Sequence, residues 1–210
     1  MDKTNNNNNA QGGQANRNIR LAQLDDKTAL ISLIETSVRT LQRNDYSPTQ
    51  LEALLTHVYG VDTQLIKDGT YYIVEQLQAS ETGYVIVGAG GWSKRKTLFG
   101  GDQAKAAALV VAKEDNLLDP KQDPAKIRAF FVHPAWARQG VAGVLMQTCE
   151  RAAKQAGFRR LELMATLTGV PFYKINGFEA VENIEINLPA LSDNEMVTVP
   201  LTRMTKPIVE

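Results

Sequence analysis

The hexapeptide RQGVAG, residues 138–143, stands between an apolar run, IRAFFV at 127–132, and a stretch with helical periodicity. A chain that turns from a strand into a helix leaves the first backbone N–H groups of that helix without intrahelical partners. The turn is therefore a natural anion site. Gly140, Ala142 and Gly143 allow a bulky anion to approach the main chain, and Arg138 adds a positive charge suited to phosphate. The spacing departs from the G-x-G-x-x-G of dinucleotide sites, and no Gly-Lys-Ser/Thr follows as a P-loop requires. Two common nucleotide-binding modes fall away.

The second stretch of interest is GVPFYKINGFEAVE, residues 169–182, in which Tyr173 sits between aromatic neighbours Phe172 and Phe178. A phenol can donate a proton to a departing anion. Taken alone, the Phe-Tyr pair reads equally as interior packing.

Together the two segments carry a resemblance. VHPAWARQGVAGVLM at 132–146 resembles motif A of the GNAT superfamily of N-acetyltransferases, [QR]-x-x-G-x-[GA] preceded by a strand ending in V-x-P. Gly140 and Ala142 fill the two small positions, and Ala137 stands where Gln or Arg is usual. Residues 169–182 resemble motif B, commonly F-Y-x-x-x-G-F. The likeness runs over 127–181 and more loosely over 19–204.

This resemblance implies an N-acetyltransferase that moves the acetyl group of acetyl-CoA to a primary amine, by direct attack in a ternary complex and without metal. It assigns the acetyl and pantetheine portions to the main chain of Phe130, Phe131 and Val132. The pyrophosphate falls to Arg138, Gln139, Gly140, Val141, Ala142 and Gly143, and the general acid is Tyr173. A β-bulge in the 127–132 strand is implied as the device that turns backbone groups toward the thioester. A non-catalytic acyl-CoA-binding sensor or interaction module on the same fold is the alternative.

An incoming ammonium with a lysine-like pKa of about 10.4 must lose a proton before attack. Glu35, Glu75, Glu162, His133 or a water relay are the candidates for that base. On the acceptor side, Glu35, Arg39, Tyr46, Tyr71, Tyr72 and Trp92 lie where the family recognises its amine, which is expected to be a small molecule or a peptide.

Composition sets the outer bounds. The chain has 210 residues, 43% of them apolar, enough for one sizeable core. Its 23 basic and 23 acidic residues cancel, so no net field draws it to nucleic acid or to an anionic membrane. Cys149, the single cysteine, excludes an intramolecular disulfide and lies in a helical pattern that suits packing better than nucleophilic duty. No stretch resembles a signal peptide or a membrane span, so a cytoplasmic protein is expected. A homodimer is compatible with the resemblance.

Along the chain, residues 1–18 read as a low-complexity tail without an apolar anchor, followed by a single domain over 19–207. A strand is expected from Ile19, then a helix with Leu30, Leu33, Ile34 and Val38 on one face, and a helix opened by Ser47 and Pro48. Residues 71–76 and 84–92 read as a hairpin, and 93–124 as an insertion rich in turn formers. A strand at 126–132, a helix at 140–156 stopped by Gly157, and a strand at 159–165 follow. The remainder reads as a short helix at 170–175 and strands at 177–187 and 196–204. These predict an α/β fold of the α+β type, a GNAT-like central mixed and largely antiparallel sheet of about 6–7 strands flanked by helices.

Overall fold

Alternating and apolar strand patterns separated by amphipathic helices assemble here into one sheet. The computed structural model describes residues 17–77, 83–102, 104, 116–191 and 195–209. Its strands are β1 (Arg17–Leu21), β2 (Tyr71–Leu77), β3 (Tyr84–Ser93), β4 (Ala125–Val132), β5 (Arg160–Thr166), β6 (Glu179–Pro189) and β7 (Met196–Pro207). The helices are α1 (Lys27–Leu41), α2 (Pro48–His57), α3 (Thr63–Lys67), α4 (Val141–Gln155) and α5 (Val170–Ile175).

The seven strands lie in the order β1-β2-β3-β4-β5-β7-β6. Every neighbouring pair is antiparallel except β4 and β5, as the mixed sheet expected from the sequence requires. A parallel pair needs a crossover, and α4 supplies it. Adjacent residues of a strand point to opposite faces, and Ile73 and Val74 of β2 fall into different core clusters. Ile73 packs with Leu30 and Ile34 of α1, Leu54 of α2 and Leu65 of α3, whereas Val74 packs with Val141 and Leu145 of α4. The helices thus cover both faces.

Local chemistry explains the helix ends. Ser47 accepts from the Gln50 N–H while the Gln50 side chain accepts from the Ser47 N–H, a reciprocal cap ahead of Pro48. At the other end of α4, Gly157 takes φ +90° and its N–H meets the Lys154 carbonyl, with the Phe158 N–H on Ala153. That paired closure is why the helix stops there. The buried stripe of α4 is Val141, Leu145, Met146, Cys149 and Ala153. Met146 and Ala153 lie beside the line of Val141, Leu145 and Cys149, so the stripe is wider than one line of residues.

One boundary differs from expectation. Arg17 and Asn18, assigned to the tail, belong to β1, and the rest of that tail, 1–16, lies outside the described residues. Polar cross-strand bonds do the work of apolar contacts there: Arg17 Nε donates to Gln76 and Asn18 to Glu75. In the 93–124 insertion, the apolar piece at 108–112 also lies outside the described residues. Its flanks are tied together, Arg95 pairing with Leu117 and forming an ion pair with Asp68 at 2.6 Å. Among the described residues no helix is long and apolar enough to cross a membrane.

Candidate active site

β4 and β5 are hydrogen-bonded neighbours only at Ala125↔Leu161 and Lys126↔Glu162, although the strands continue to Val132 and Thr166. Beyond Lys126 they part. The register between β3 and β4 also slips between Ala89 and Gly91, opposite an Ala129 held at φ +54°. A bulge of this kind turns the following backbone groups out of the regular ladder. The edge of β4 that faces the gap therefore offers main-chain donors and acceptors without a strand partner.

The gap opens into a cavity of about 250 Å3. Residues 127–132 form one wall, Met164, Thr166, Gly169, Phe172 and Tyr173 another, and Ser37 and Leu41 of α1 with Gln42, Leu54, Val58 and Tyr59 a third. Phe130, Phe131 and Val132 thus stand together on the cavity, and Ala142 borders it from the glycine turn. The Val132 N–H already donates to Ser37 Oγ at 3.3 Å, so that amide is engaged from α1.

The turn itself follows from its backbone. His133, Pro134, Ala135 and Trp136 close a 3-10 turn in which the Ala137 N–H reaches the Pro134 carbonyl. The next residues break the pattern: Arg138 takes φ +60° and Gly140 takes φ +84°. Only at Val144, which donates to the Gly140 carbonyl, does helical bonding begin. Hence the N–H groups of Arg138, Gln139, Gly140, Val141, Ala142 and Gly143 meet no acceptor among the described residues. Six such donors at the positive end of a 15-residue helix make an anion receptor. Arg138, Gln139 and Gly140 are exposed, so the receptor faces solvent.

Tyr173 lies across the gap on α5. Its ring meets Phe172, Phe178 and Phe130 edge-on at centroid distances of 5.3, 5.7 and 6.5 Å. The helix fixes its backbone, with the Tyr173 N–H on Gly169 and the Phe178 N–H on the Tyr173 carbonyl. No hydrogen bond from a described residue engages its hydroxyl, and burial, helped by the nearby Cys149 sulfur, pushes its pKa up. The phenol therefore keeps its proton through the ordinary tyrosine range. Cys149 is fully buried and its thiol is likewise pushed up by burial, which removes it as a nucleophile.

None of the four candidate bases borders the cavity. Glu35 is exposed on α1. Glu75 is paired with Arg20 at 2.8 Å, and His133 uses Nδ1 to accept the Ala135 N–H while its ring rests on Trp136. Glu162 is clamped between Lys126 and Arg203. Burial alone would raise its pKa, but the hydrogen bonds from Lys126 and Arg203 outweigh that and hold it below the usual carboxylate range.

The acceptor-side residues also take other duties. Tyr71 and Trp92 are buried in the core, Arg39 pairs with Glu52, and the Tyr46 hydroxyl bridges the Pro200 carbonyl and the Leu167 N–H. The cavity is lined instead by Ser37, Gln42, Tyr59, Phe99 and Thr168. Ser37 and Gln42 follow Leu30, Leu33, Ile34 and Val38 around the inner face of α1, a periodicity that could have marked them as inward-facing polar residues.

The comparisons with known proteins agree with this geometry. Residues 102–187, which include β4, the glycine turn, α4 and α5, match the family model for the acetyltransferase (GNAT) domain. That segment belongs to the GNAT superfamily. Its class is that of the acyltransferases.

Solved structures share the GNAT fold at low identity. A GCN5-related N-acetyltransferase of Rhodopseudomonas palustris is 20% identical, with a TM-score of 0.61 over 92% of this chain and 96% of that one. The PaiA N-acetyltransferase of Thermoplasma acidophilum, solved in complex with coenzyme A, is 14% identical, with a TM-score of 0.55 over 91% and 98% of the two chains. The Escherichia coli ribosomal-protein-S18-alanine N-acetyltransferase is 12% identical, with a TM-score of 0.52 over 92% and 95%. A search of curated proteins gives no match.

Proposed function

We propose that this GNAT protein is an N-acetyltransferase that transfers the acetyl group of acetyl-CoA to a primary amine in a ternary complex. The observation that carries the reading is that three features adjoin one gap: six N–H groups at residues 138–143 without an acceptor among the described residues, a β4 edge at 127–132 without a β5 partner, and the Tyr173 phenol across the gap. A diphosphate, a pantetheine amide chain and a thioester require those features in that order. A Thermoplasma acidophilum N-acetyltransferase of the same fold was solved with coenzyme A, which supports the choice of donor.

Acetyl-CoA supplies the activated acetyl thioester. Arg138 and the amides of 138–143 hold the diphosphate, Gly140 and Ala142 leave room for it, and the main chain of Phe130, Phe131 and Val132 guides the pantetheine arm toward Tyr173. The acceptor enters beside α1 and α2. Its amine nitrogen attacks the carbonyl carbon, the new C–N bond forms as the C–S bond breaks, and the sulfur leaves as a thiolate that takes the Tyr173 hydroxyl proton. Tyr173 recovers its proton from solvent. Since no described carboxylate or imidazole borders the cavity, the amine sheds its proton to water.

The domain comprises residues 17–207, and its acceptor is a small molecule or a peptide amine. Screening primary amines against acetyl-CoA while following release of free CoA thiol tests the reading. Turnover with at least one amine class is expected. Saturable acetyl-CoA binding with no amine turned over would favour the sensor alternative instead.

A further inference from the structure

The glycine turn is held from outside its own motif. Arg17 of β1, 122 residues away in sequence, donates from Nη1 to the Gln139 carbonyl at 2.6 Å and from Nη2 to Gln139 Oε1 at 3.3 Å. Its Nε is fixed in turn by Gln76 Oε1 at 3.2 Å, on the neighbouring strand. The guanidinium is thereby locked in a defined plane by three bonds, and a fork of donors on a carbonyl and an amide oxygen is a geometry that lysine cannot copy. Gln139 is also tethered on its far side, where Nε2 donates to the Ala135 carbonyl at 2.8 Å.

The consequence lies in the peptide plane. The Gln139–Gly140 peptide is trans, so its C=O and its N–H point in opposite directions. Fixing the Gln139 oxygen on Arg17 fixes the Gly140 N–H pointing away from Arg17. Arg138 at φ +60° and Gly140 at φ +84° flank Gln139, and the glycine by itself does not fix the orientation of this plane. The same bond places a full positive charge behind the peptide and strengthens its N–H as a donor.

We infer that Arg17 is a positioning residue for the coenzyme diphosphate, clamping the 139–140 peptide so that its N–H faces the anion. This rests on the diphosphate assignment proposed above. β1 is then more than an edge strand: it carries the clamp that pre-forms the receptor before ligand arrives.

Calorimetric titration of CoA, dephospho-CoA and pantetheine into the full chain and into Arg17→Gln tests it, with thermal melting of both proteins as the control for folding. Losing a charge-assisted bond to the turn should weaken CoA and dephospho-CoA alike by about tenfold, with pantetheine affinity unchanged. Arg17→Lys should restore only part of the loss. Unchanged CoA affinity in Arg17→Gln, an equal loss for pantetheine, or a loss confined to CoA and absent for dephospho-CoA would each overturn the inference. If the wild-type chain binds pantetheine but gains nothing from the diphosphate, the diphosphate assignment itself fails.

Discussion

Replacing Gly140 and Gly143 by alanine, one at a time, separates what the backbone of the turn needs from what its open side must admit. At φ +84°, a β-carbon on residue 140 collides with the adjoining carbonyl at a cost of roughly 1–2 kcal/mol. Alanine also narrows the unfolded ensemble, which returns about 0.4–1 kcal/mol. Gly140→Ala should therefore be less stable by about 1 kcal/mol, a fall in Tm of about 2–4 °C for a chain of this size. Gly143 differs: it has no left-handed φ, and a β-carbon there would meet nothing within 4 Å. In the first turn of α4, alanine should raise stability by about 0.5–1 kcal/mol. Both methyls disturb the receptor, one by its backbone and one by filling open space beside the free amides. Each should weaken CoA by about tenfold, the equivalent of one charge-assisted hydrogen bond. Differential scanning calorimetry and titration with CoA read the two effects separately. A stabilised Gly143→Ala chain that binds CoA as wild type would refute the placement of the diphosphate.

Four further outcomes are expected. Tyr173→Phe should lower kcat by about 10²–10⁴-fold with little change in KM for acetyl-CoA. Because burial raises the Tyr173 pKa, the wild-type phenol stays protonated through the ordinary tyrosine range, so kcat should show no alkaline fall near pH 10 in steady-state rates; a fall there would contradict the assignment. Asp62 and Arg128 form a buried ion pair at 2.7 Å, with side chains 1% and 3% exposed, so Asp62→Ala should destabilise the fold by about 3–5 kcal/mol in urea unfolding, because it leaves the arginine charge buried alone. Glu162, lowered by Lys126 and Arg203 against the effect of burial, stabilises the fold above its unfolded pKa and loses that contribution as pH falls through its lower folded value. The stability gap between wild type and Glu162→Gln should thus be full at pH 7 and shrink below the ordinary carboxylate value of 4.5; a gap independent of pH would contradict this.

What the sequence makes legible is local. Gly140 after IRAFFV, Gly157 after an apolar stripe, and Ser47 before Pro48 each state a backbone requirement within a few residues, and the turn, the helix stop and the cap appear where those residues stand. The order of motifs carries the mixed sheet. Side-chain partnerships across the fold are another matter. Glu75 and Glu162 read as free carboxylates until β1, β4 and β7 bring Arg20, Lys126 and Arg203 against them. Tyr46 reads as a pocket aromatic, yet its hydroxyl is used by residues 167 and 200. The clamp from Arg17 to Gln139 depends on edge-strand placement that no spacing encodes. The acceptor wall is illegible for the same reason: Ser37, Gln42 and Tyr59 meet residues 127–132 only after α1 and α2 fold onto the sheet.

The central claim is that this chain takes acetyl-CoA as its donor, and isothermal titration of acetyl-CoA into the full chain tests it most directly. Saturable binding at one site is predicted, with a dissociation constant at or below the micromolar range and a clear loss in Gly143→Ala. Absence of saturable binding at high micromolar acetyl-CoA would contradict the account, because the unpaired amides of the turn, the open β4 edge and Tyr173 would then have no common ligand.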